Sequence, residues 1–594
     1  MTEALVRPDP IIRFEHFSCG YVKGAPILRD INLEIFPGEF VFLVGQSGSG
    51  TSTLGCSLNG IIPFVQGWTE GSLTIAGVNV AGSRVAELAT HVGVIFQDVD
   101  DQLTNLYARD EVMFGPENLM LPAAEVERRA WGALGFVGAT DCAERFVFEL
   151  SGGQKQKVVI AAVLAMEPEI LFLDEPTANL DPRSSSEVFR FLTQLKRERK
   201  TLIITEYKMD ELVSLADRMI VLADGGVVCD GSPREVIEQH GQELQERWGL
   251  WIPQAAELEI MLRQQKGWRA EPFPVHTAEA VKQYSGYRFA ALPESITSSS
   301  SAVKSEALIR ANDVTYRYSD GTTALSNVSI EVRAGEILAI VGPNGSGKTT
   351  LSKHFVGLLK PTLGKVVVFG KDTSNTSTRE LTRRVGYVFQ YPEHQFVKDS
   401  VEAEVRFSLQ ALGVEESEIG PRVQEVLAIF GLEGLEKRHP YSLSGGEKRR
   451  LSVATMVIMR PRVLLMDEPT FAQDRRNTER MMEAVLMATA ADVDNLGSTI
   501  VLITHDMKLV ADYATRVVAM HEGRVAFDGS PRQLFADREL LDTVNLEEPA
   551  LFQIVRELRE AGSPVSPHIA SAVDFVASID AMSIDGTGLS SVSR

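Results

Sequence analysis

The sequence predicts two tandem α/β domains, each a largely parallel sheet with helices on its faces, and three observations predict them. VGQSGSGTSTL (Val44–Leu54) returns as VGPNGSGKTTL (Val341–Leu351): an apolar strand end, a glycine-rich loop and a helix start, twice. Other landmarks recur in the same order. The runs VGVIF and VGYVF end at Gln97 and Gln390, LSGGQ and LSGGE begin at Leu150 and Leu443, and ILFLDEPT and VLLMDEPT begin at Ile170 and Val463, all at one constant offset. The recurring unit is a short β-rich apolar run that ends in a loop and is followed by a helical pattern, which reads as an α/β sheet. Functional loops of such sheets sit at the carboxyl ends of the strands.

The first domain is expected over 11–245 and the second over 307–540. A helical appendage is expected after each, at 246–290 and 541–576, because GLWIPQAAELEIMLRQQKG (Gly249–Gly267) parallels VNLEEPALFQIVRELREAG (Val544–Gly562). ESITSSSSAVKSE (Glu294–Glu306) has no apolar period, so 291–306 reads as a serine-rich linker. The polar tail 577–594 is expected to be disordered.

Composition narrows the class. With 594 residues, 44% hydrophobic and 23% charged, the chain can fill several cores and is ordinary for a soluble globular protein. The longest apolar run, Val158–Met166, is about half of the roughly 18 residues a membrane span needs. MTEALVRPDP has no apolar h-region, so no signal peptide is expected. Cys19, Cys56, Cys142 and Cys229 show no metal-like or disulfide-like spacing, which points to a reducing compartment. A net charge of −21 argues against a bulk nucleic-acid binder, which needs a basic face.

The glycine-rich loops carry the first chemistry. The second fits G-x-x-x-x-G-K-[ST], with Gly342, Asn344, Gly345, Gly347, Lys348, Thr349 and Thr350. Its glycines let backbone N–H groups converge on phosphate oxygens, and the following helix points its N-terminus at the same anion. Lys348 supplies charge near the β/γ-phosphates, and the Thr349 hydroxyl can ligate Mg²⁺. The first loop keeps Gly45, Gly48, Gly50, Ser52 and Thr53 but has Thr51 in place of the lysine. It can hold a nucleotide yet should stabilise developing charge poorly. Seen alone it is open to a plainer reading, a turn without ligand; its intact twin weighs against that.

ILFLD and VLLMD read as buried strands that deliver Asp174 and Asp467 to a position where each can hold Mg²⁺ through water. The next residues, Glu175 and Glu468, stand where a carboxylate can orient and deprotonate an attacking water. A bare Asp-Glu pair is usually a solvated strand end; two DEPT runs at matching distances from two phosphate loops reverse those odds. Ser151, Gly152, Gly153 and Gln154, like Ser444, Gly445, Gly446 and Glu447, form a serine-capped helix start that could face an anion. By themselves they are only helix starts.

Phosphate loop, Gln loop, LSGGQ, DEPT and a downstream histidine, in this order, resemble the ATP-binding cassette (ABC) family over almost the whole chain, twice. The resemblance implies P-loop domains with an antiparallel β subdomain and a helical subdomain, ATP and Mg²⁺ as cofactors, and ATP hydrolysis coupled to transport. It implies that two cassettes pair head to tail, the LSGGQ of one closing over the ATP of the other. One composite site then combines Lys348, Thr349, Gln390, Asp467, Glu468 and His505 with Ser151, Gly152, Gly153 and Gln154. The other combines Gly45, Ser52, Gln97, Asp174 and Glu175 with Ser444, Gly445, Gly446 and Glu447. Gln97 and Gln390 are implied Mg²⁺ neighbours, and His505 a γ-phosphate sensor. Counting back from Arg218 as from Arg516, Tyr207 takes the histidine's place in the first copy. Tyr21 and Tyr318 are implied to stack on adenine; packing on the antiparallel subdomain is the plainer reading. Asp181 (ANLD) and Asp474 (FAQD, an unusual wording) are implied at the dimer interface.

FQDVDDQL…RDEVMFGPENLMLP and FQYPEHQF…DSVEAEVRFSLQALGV, with the appendages, resemble the ATPases of energy-coupling-factor transporters. That implies a transmembrane coupling subunit and a substrate-specific membrane subunit as partners, no nucleic acid, and a peripheral place on the cytoplasmic face of the membrane. Asp98–Pro116 and Tyr391–Leu409 would form the groove that receives coupling helices. For their acids, Asp110, Glu111, Glu402 and Glu404, a solvated helix face is the plainer reading. The competitors are a sugar-type importer ATPase and a ribosome-associated tandem cassette protein, the latter typically bearing a long charged helical interdomain segment that this chain lacks.

Overall fold

The computed structural model describes residues 9–178, 180–207, 209–290, 306–470, 473–490 and 499–582. The linker up to residue 305, the tail from 583, Asn179 of ANLD and Phe471–Ala472 of FAQD lie outside the described residues. The chain divides into two compact units, Met1–Ile252 and Pro253–Arg594.

In the first unit a six-stranded sheet runs in the order Gly226–Gly231, Arg218–Ala223, Phe40–Gly45, Thr201–Thr205, Ile170–Asp174, Val92–Ile95. All neighbours are parallel except the first pair. Every residue of FVFLVG, VGVI, ILFLD and TLIIT is buried, which is why these strands read as unbroken apolar runs: both faces of a parallel sheet are covered. The antiparallel sheet, ordered Leu28–Ile35, Ile12–Gly20, Trp68–Ile75, Val78–Asn79, alternates instead, since one face meets solvent. Phe14, Leu28, Leu54 and Phe172 belong to one core shared by the two sheets and the helix after the glycine-rich loop. Helices Ala108–Asn118, Ala123–Val137 and Gly152–Ala165 pack on one another as a helical subdomain.

The second unit repeats the plan, with the sheet order Val385–Val388, Val463–Asp467, Thr499–Ile503, Ile337–Val341, Arg516–His521, Arg524–Gly529. Register makes the copies comparable at their tips. Thr205 lies opposite Asp174 as Ile503 lies opposite Asp467, so Tyr207 and His505 hold matching positions.

The second unit also contains a lobe drawn from both sequence appendages. Gln254–Lys266 and Thr277–Tyr284 share a core with Ala550–Glu560 and Ala572–Ser578 through Leu258, Leu262, Tyr284, Ile554, Leu558 and Phe575. Short amphipathic helices cannot bury an apolar face alone, and here each stretch covers the other. Tyr287–Phe289 pairs antiparallel with Ile579–Met582, so strands join what reads from sequence as purely helical. The tail therefore starts later than 577: buried Val576 and Ile579 keep the chain on the lobe through 582.

Candidate nucleotide sites

In the second unit the strand Ile337–Val341 runs into a loop whose Gly342, Gly345 and Gly347 all have positive φ. A Cβ on Gly342 would stand 2.2 Å from the Met520 carbonyl oxygen and one on Gly347 2.6 Å from that of Ala324, so only glycine fits. Helix Lys348–Phe355 begins at once, with no side chain capping it, leaving its first N–H groups to face an anion. Lys348 is buried and donates to the Gly342 and Pro343 carbonyls at 2.7 and 3.0 Å, folded against the loop it would serve. Thr349 Oγ1 lies 3.4 Å from Asp467 Oδ1, a hydroxyl beside a carboxylate and hence a hard-oxygen pair suited to Mg²⁺. Tyr318 keeps an exposed ring while its hydroxyl sits 2.9 Å from Thr350 Oγ1.

The first loop has the same backbone. Gly48 and Gly50 have φ of 84° and 103°, and a Cβ on Gly45 would stand 2.9 Å from the Leu222 carbonyl oxygen. Ser52 hydrogen-bonds Asp174, and Tyr21 reaches Thr53. The cradle is present; the ammonium is not.

The two glutamates differ most. Both sit at left-handed φ, 44° at Glu175 and 46° at Glu468, with their N–H groups donating to Thr205 and Ile503 carbonyls. Glu468 Oε2 accepts from the Thr504 hydroxyl at 3.2 Å and the His505 N–H at 3.4 Å, and Oε1 lies 3.0 Å from His505 Nδ1. Burial raises its pKa, but His505 and Lys348 more than offset this and hold it below the ordinary value. Glu175 accepts from Gln97 Nε2 at 2.8 Å and from the Tyr207 side chain. Burial, then the charges of Asp174 and Glu206, push it well above the ordinary value.

Glu206 escapes sequence reasoning, although ITEY set against LITH displays it in the place of Thr504. Its buried carboxylate accepts from the Thr177 hydroxyl at 2.6 Å, the Thr177 N–H at 3.2 Å and the Tyr207 N–H at 3.0 Å.

LSGGQ and LSGGE form the same helix start. Ser151 and Ser444 accept from the N–H groups of Gln154 and Glu447, and these side chains return to the serine N–H at 3.1 and 2.8 Å. Glu447 thus keeps the cap and adds a charge. The serines and their next glycines, Gly152 and Gly445, are exposed. Asp181 and Asp474 accept from Ser184 and Asn477 N–H groups at the next helix starts.

The acids after the Gln loops separate into two kinds. Asp110 and Glu402 are solvated and lie beside Arg109 and Arg406. Glu111 and Glu404 correct the expectation of a solvated face. Glu111 accepts from Thr104 and Asn105 N–H groups at 2.8 and 2.7 Å, and Glu404 from Val397 and Lys398 at 2.8 and 2.7 Å. They are buried braces that fold the preceding turn onto its helix.

The second unit therefore gathers Lys348, Thr349, Asp467, Glu468 and His505 at one sheet end, with Gln390 following the neighbouring strand Val385–Val388. Ser151–Gln154 lie in the first unit.

The family pattern described as “ABC transporter” matches residues 28–178 and 325–471. A Methanosarcina mazei protein provisionally named an ABC transporter ATP-binding protein is 36% identical over 567 residues, covering 94% of this chain and 95% of that protein. The chain belongs to the ABC transporter family. As such it is a tandem ATPase that binds and hydrolyses ATP. YkoD of Bacillus subtilis, provisionally named an HMP/thiamine import ATP-binding protein, is 36% identical over 552 residues, 92% of this chain and 96% of its own length. The structure of cbiO1 from Clostridium perfringens, part of the ABC transporter complex cbiONQ, is 35% identical, covering 42% of this chain and 99% of that one at a TM-score of 0.36. Among the described residues of this ABC protein, no helix is long and apolar enough to cross a membrane.

Proposed function

We propose that this ABC protein energises a membrane importer of the energy-coupling-factor type, carrying a vitamin or a transition-metal ion, from the cytoplasmic face of the membrane. One site hydrolyses ATP and the other holds it. The observation that carries this is the inequality of the two glutamates: Glu468 stands among His505, Thr504 and Lys348, while Glu175 stands among Asp174, Glu206 and Tyr207. Glu468 orients and deprotonates the attacking water, and His505 fixes the carboxylate. Lys348 and the loop N–H groups neutralise the β/γ-phosphates. Thr349 and Asp467, with Gln390 nearby, would hold Mg²⁺, which supplies charge neutralisation when bound; Ser52, Asp174 and Gln97 would do so at the first loop. Tyr318 and Tyr21 offer exposed rings to adenine. The two cassettes pair head to tail, so that Ser151–Gln154 close over the nucleotide of Lys348 and Ser444–Glu447 over the other. The domain limits follow the sequence reading, 11–245 and 307–540.

The membrane partners are supported by two further facts. YkoD, alike over nearly its whole length, carries an import name. The segments after the Gln loops leave Leu106 and Phe114, and Val397 and Phe407, exposed, and Phe148 and Tyr441 in the runs ahead of LSGG are exposed too, which suits apolar coupling helices. Affinity purification from detergent-solubilised membranes tests the proposal. Recovery with a transmembrane subunit and a small solute-binding membrane protein is expected. Recovery with ribosomes, or with a sugar permease, would refute it.

A further inference from the structure

Arg449 lies on helix Gly445–Val457, directly after the LSGGE start, and is 2% exposed. Its guanidinium donates to five main-chain carbonyls: from Nη1 to Phe389 at 2.5 Å and Gln390 at 3.1 Å, from Nη2 to Asp467 at 2.7 Å and to Glu468, and from Nε to Pro469 at 3.3 Å. These carbonyls belong to two segments only, the Gln-loop start and the DEPT turn, which leave adjacent parallel strands. One side chain thus binds both loops that would face a γ-phosphate. A side chain with five donors in a rigid fork is what such a junction needs; lysine has three donors at a single point.

The first cassette has Gln156 at the matching place. It too is buried, and its Nε2 has no hydrogen-bond partner among the described residues. The turn conformation survives the loss, since Glu175 keeps the left-handed φ of Glu468. What is missing is the hold on it. Non-glycine residues at positive φ persist where their surroundings over-determine them, and Arg449 is the part of those surroundings the first cassette lacks. Burial pushes the Arg449 pKa down to about 10, so the group stays charged at neutral pH, within the field of Asp467, Glu468 and Glu393.

We infer that Arg449 is a positioning residue for ATP hydrolysis, clipping the Gln loop and the Glu468 turn to the helix that begins at Ser444. The inference rests on the reading of the second site as the hydrolysing one. It adds a third difference between the cassettes, Gln156 against Arg449, to those at Thr51 and Tyr207.

The test uses the full-length protein and Mg–ATP. Arg449→Gln installs the residue the first cassette tolerates at this place, so folding is expected to survive. kcat should fall about 100-fold, the cost of displacing reacting groups by about 1 Å, while KM for ATP stays within about threefold because the phosphate loop is untouched. Arg449→Lys should recover less than a tenth of the lost rate, since charge alone does not reach both loops. Arg422→Gln is the structural control: Arg422 also donates to a buried helix-end carbonyl, Ile458, away from the site, and its loss should lower the melting midpoint with kcat unchanged. A kcat within threefold of wild type in Arg449→Gln, or full rescue by lysine, overturns the inference. If Glu468→Gln in parallel leaves hydrolysis intact, it is the assignment of the second site that fails instead.

Discussion

Exchanging Glu468 for glutamine keeps shape and removes the carboxylate that Thr504, His505 and Lys348 surround. A positioned base is worth about 10²–10⁴-fold, or about 3–5 kcal/mol of barrier, so steady-state turnover should fall by that factor. Glu175→Gln should change it less than about threefold, because burial, Asp174 and Glu206 raise the pKa of that carboxyl and Thr51 leaves its phosphate loop without the ammonium that Lys348 supplies. The assay is phosphate release at saturating Mg–ATP in the assembled transporter, with single-turnover quench to separate chemistry from release. The pair also predicts opposite pH effects on stability. Glu175 binds its proton more tightly folded than unfolded, so its ionisation destabilises the fold as pH rises above the ordinary value of 4.5. Glu175→Gln should therefore raise the melting midpoint at pH 8 more than at pH 5. Glu468 has the depressed pKa, so its contribution is present above the unfolded value and is lost as pH falls through the folded one; Glu468→Gln should cost stability at pH 8 and less near pH 4. Equal losses of turnover from the two substitutions would refute the asymmetric reading.

Ser151→Arg should lower hydrolysis as much as Lys348→Ala, with the double variant no worse than either, since groups serving one site are non-additive; Ser444→Arg should have the smaller effect, and normal turnover in Ser151→Arg would refute head-to-tail pairing. Thr51→Lys with Tyr207→His should raise turnover in a Glu468→Gln background, and adding Glu206→Thr should raise it further by removing the carboxylate that stands where Thr504 donates; no gain from the third change would show Glu206 to be inert. Glu404→Ala removes the acceptor of the part-buried Val397 and Lys398 N–H groups and should be read in urea as a lower midpoint, by about 1 kcal/mol for each hydrogen bond lost, whereas Glu402→Ala should leave it unchanged.

Much of this was legible in the chain because its chemistry is local. A phosphate loop is contiguous, so its glycines, Lys348 and the substitution at Thr51 are read directly, and buried parallel strands announce themselves as unbroken apolar runs. Repetition supplied the rest: two copies in one chain make each departure, as at Tyr207, visible against its partner. Tertiary structure alone decided which polar residues are buried and what they touch. Glu404 and Glu402 are two positions apart on one helix, yet one braces a turn and the other meets water. Arg449 looks like one of several basic residues after LSGGE until the fold closes five carbonyls around it. The two appendages look independent until Tyr284 and Phe575 meet in one core. Partners in a hydrogen bond or a core are set by packing between segments far apart in sequence, where composition and period leave no mark.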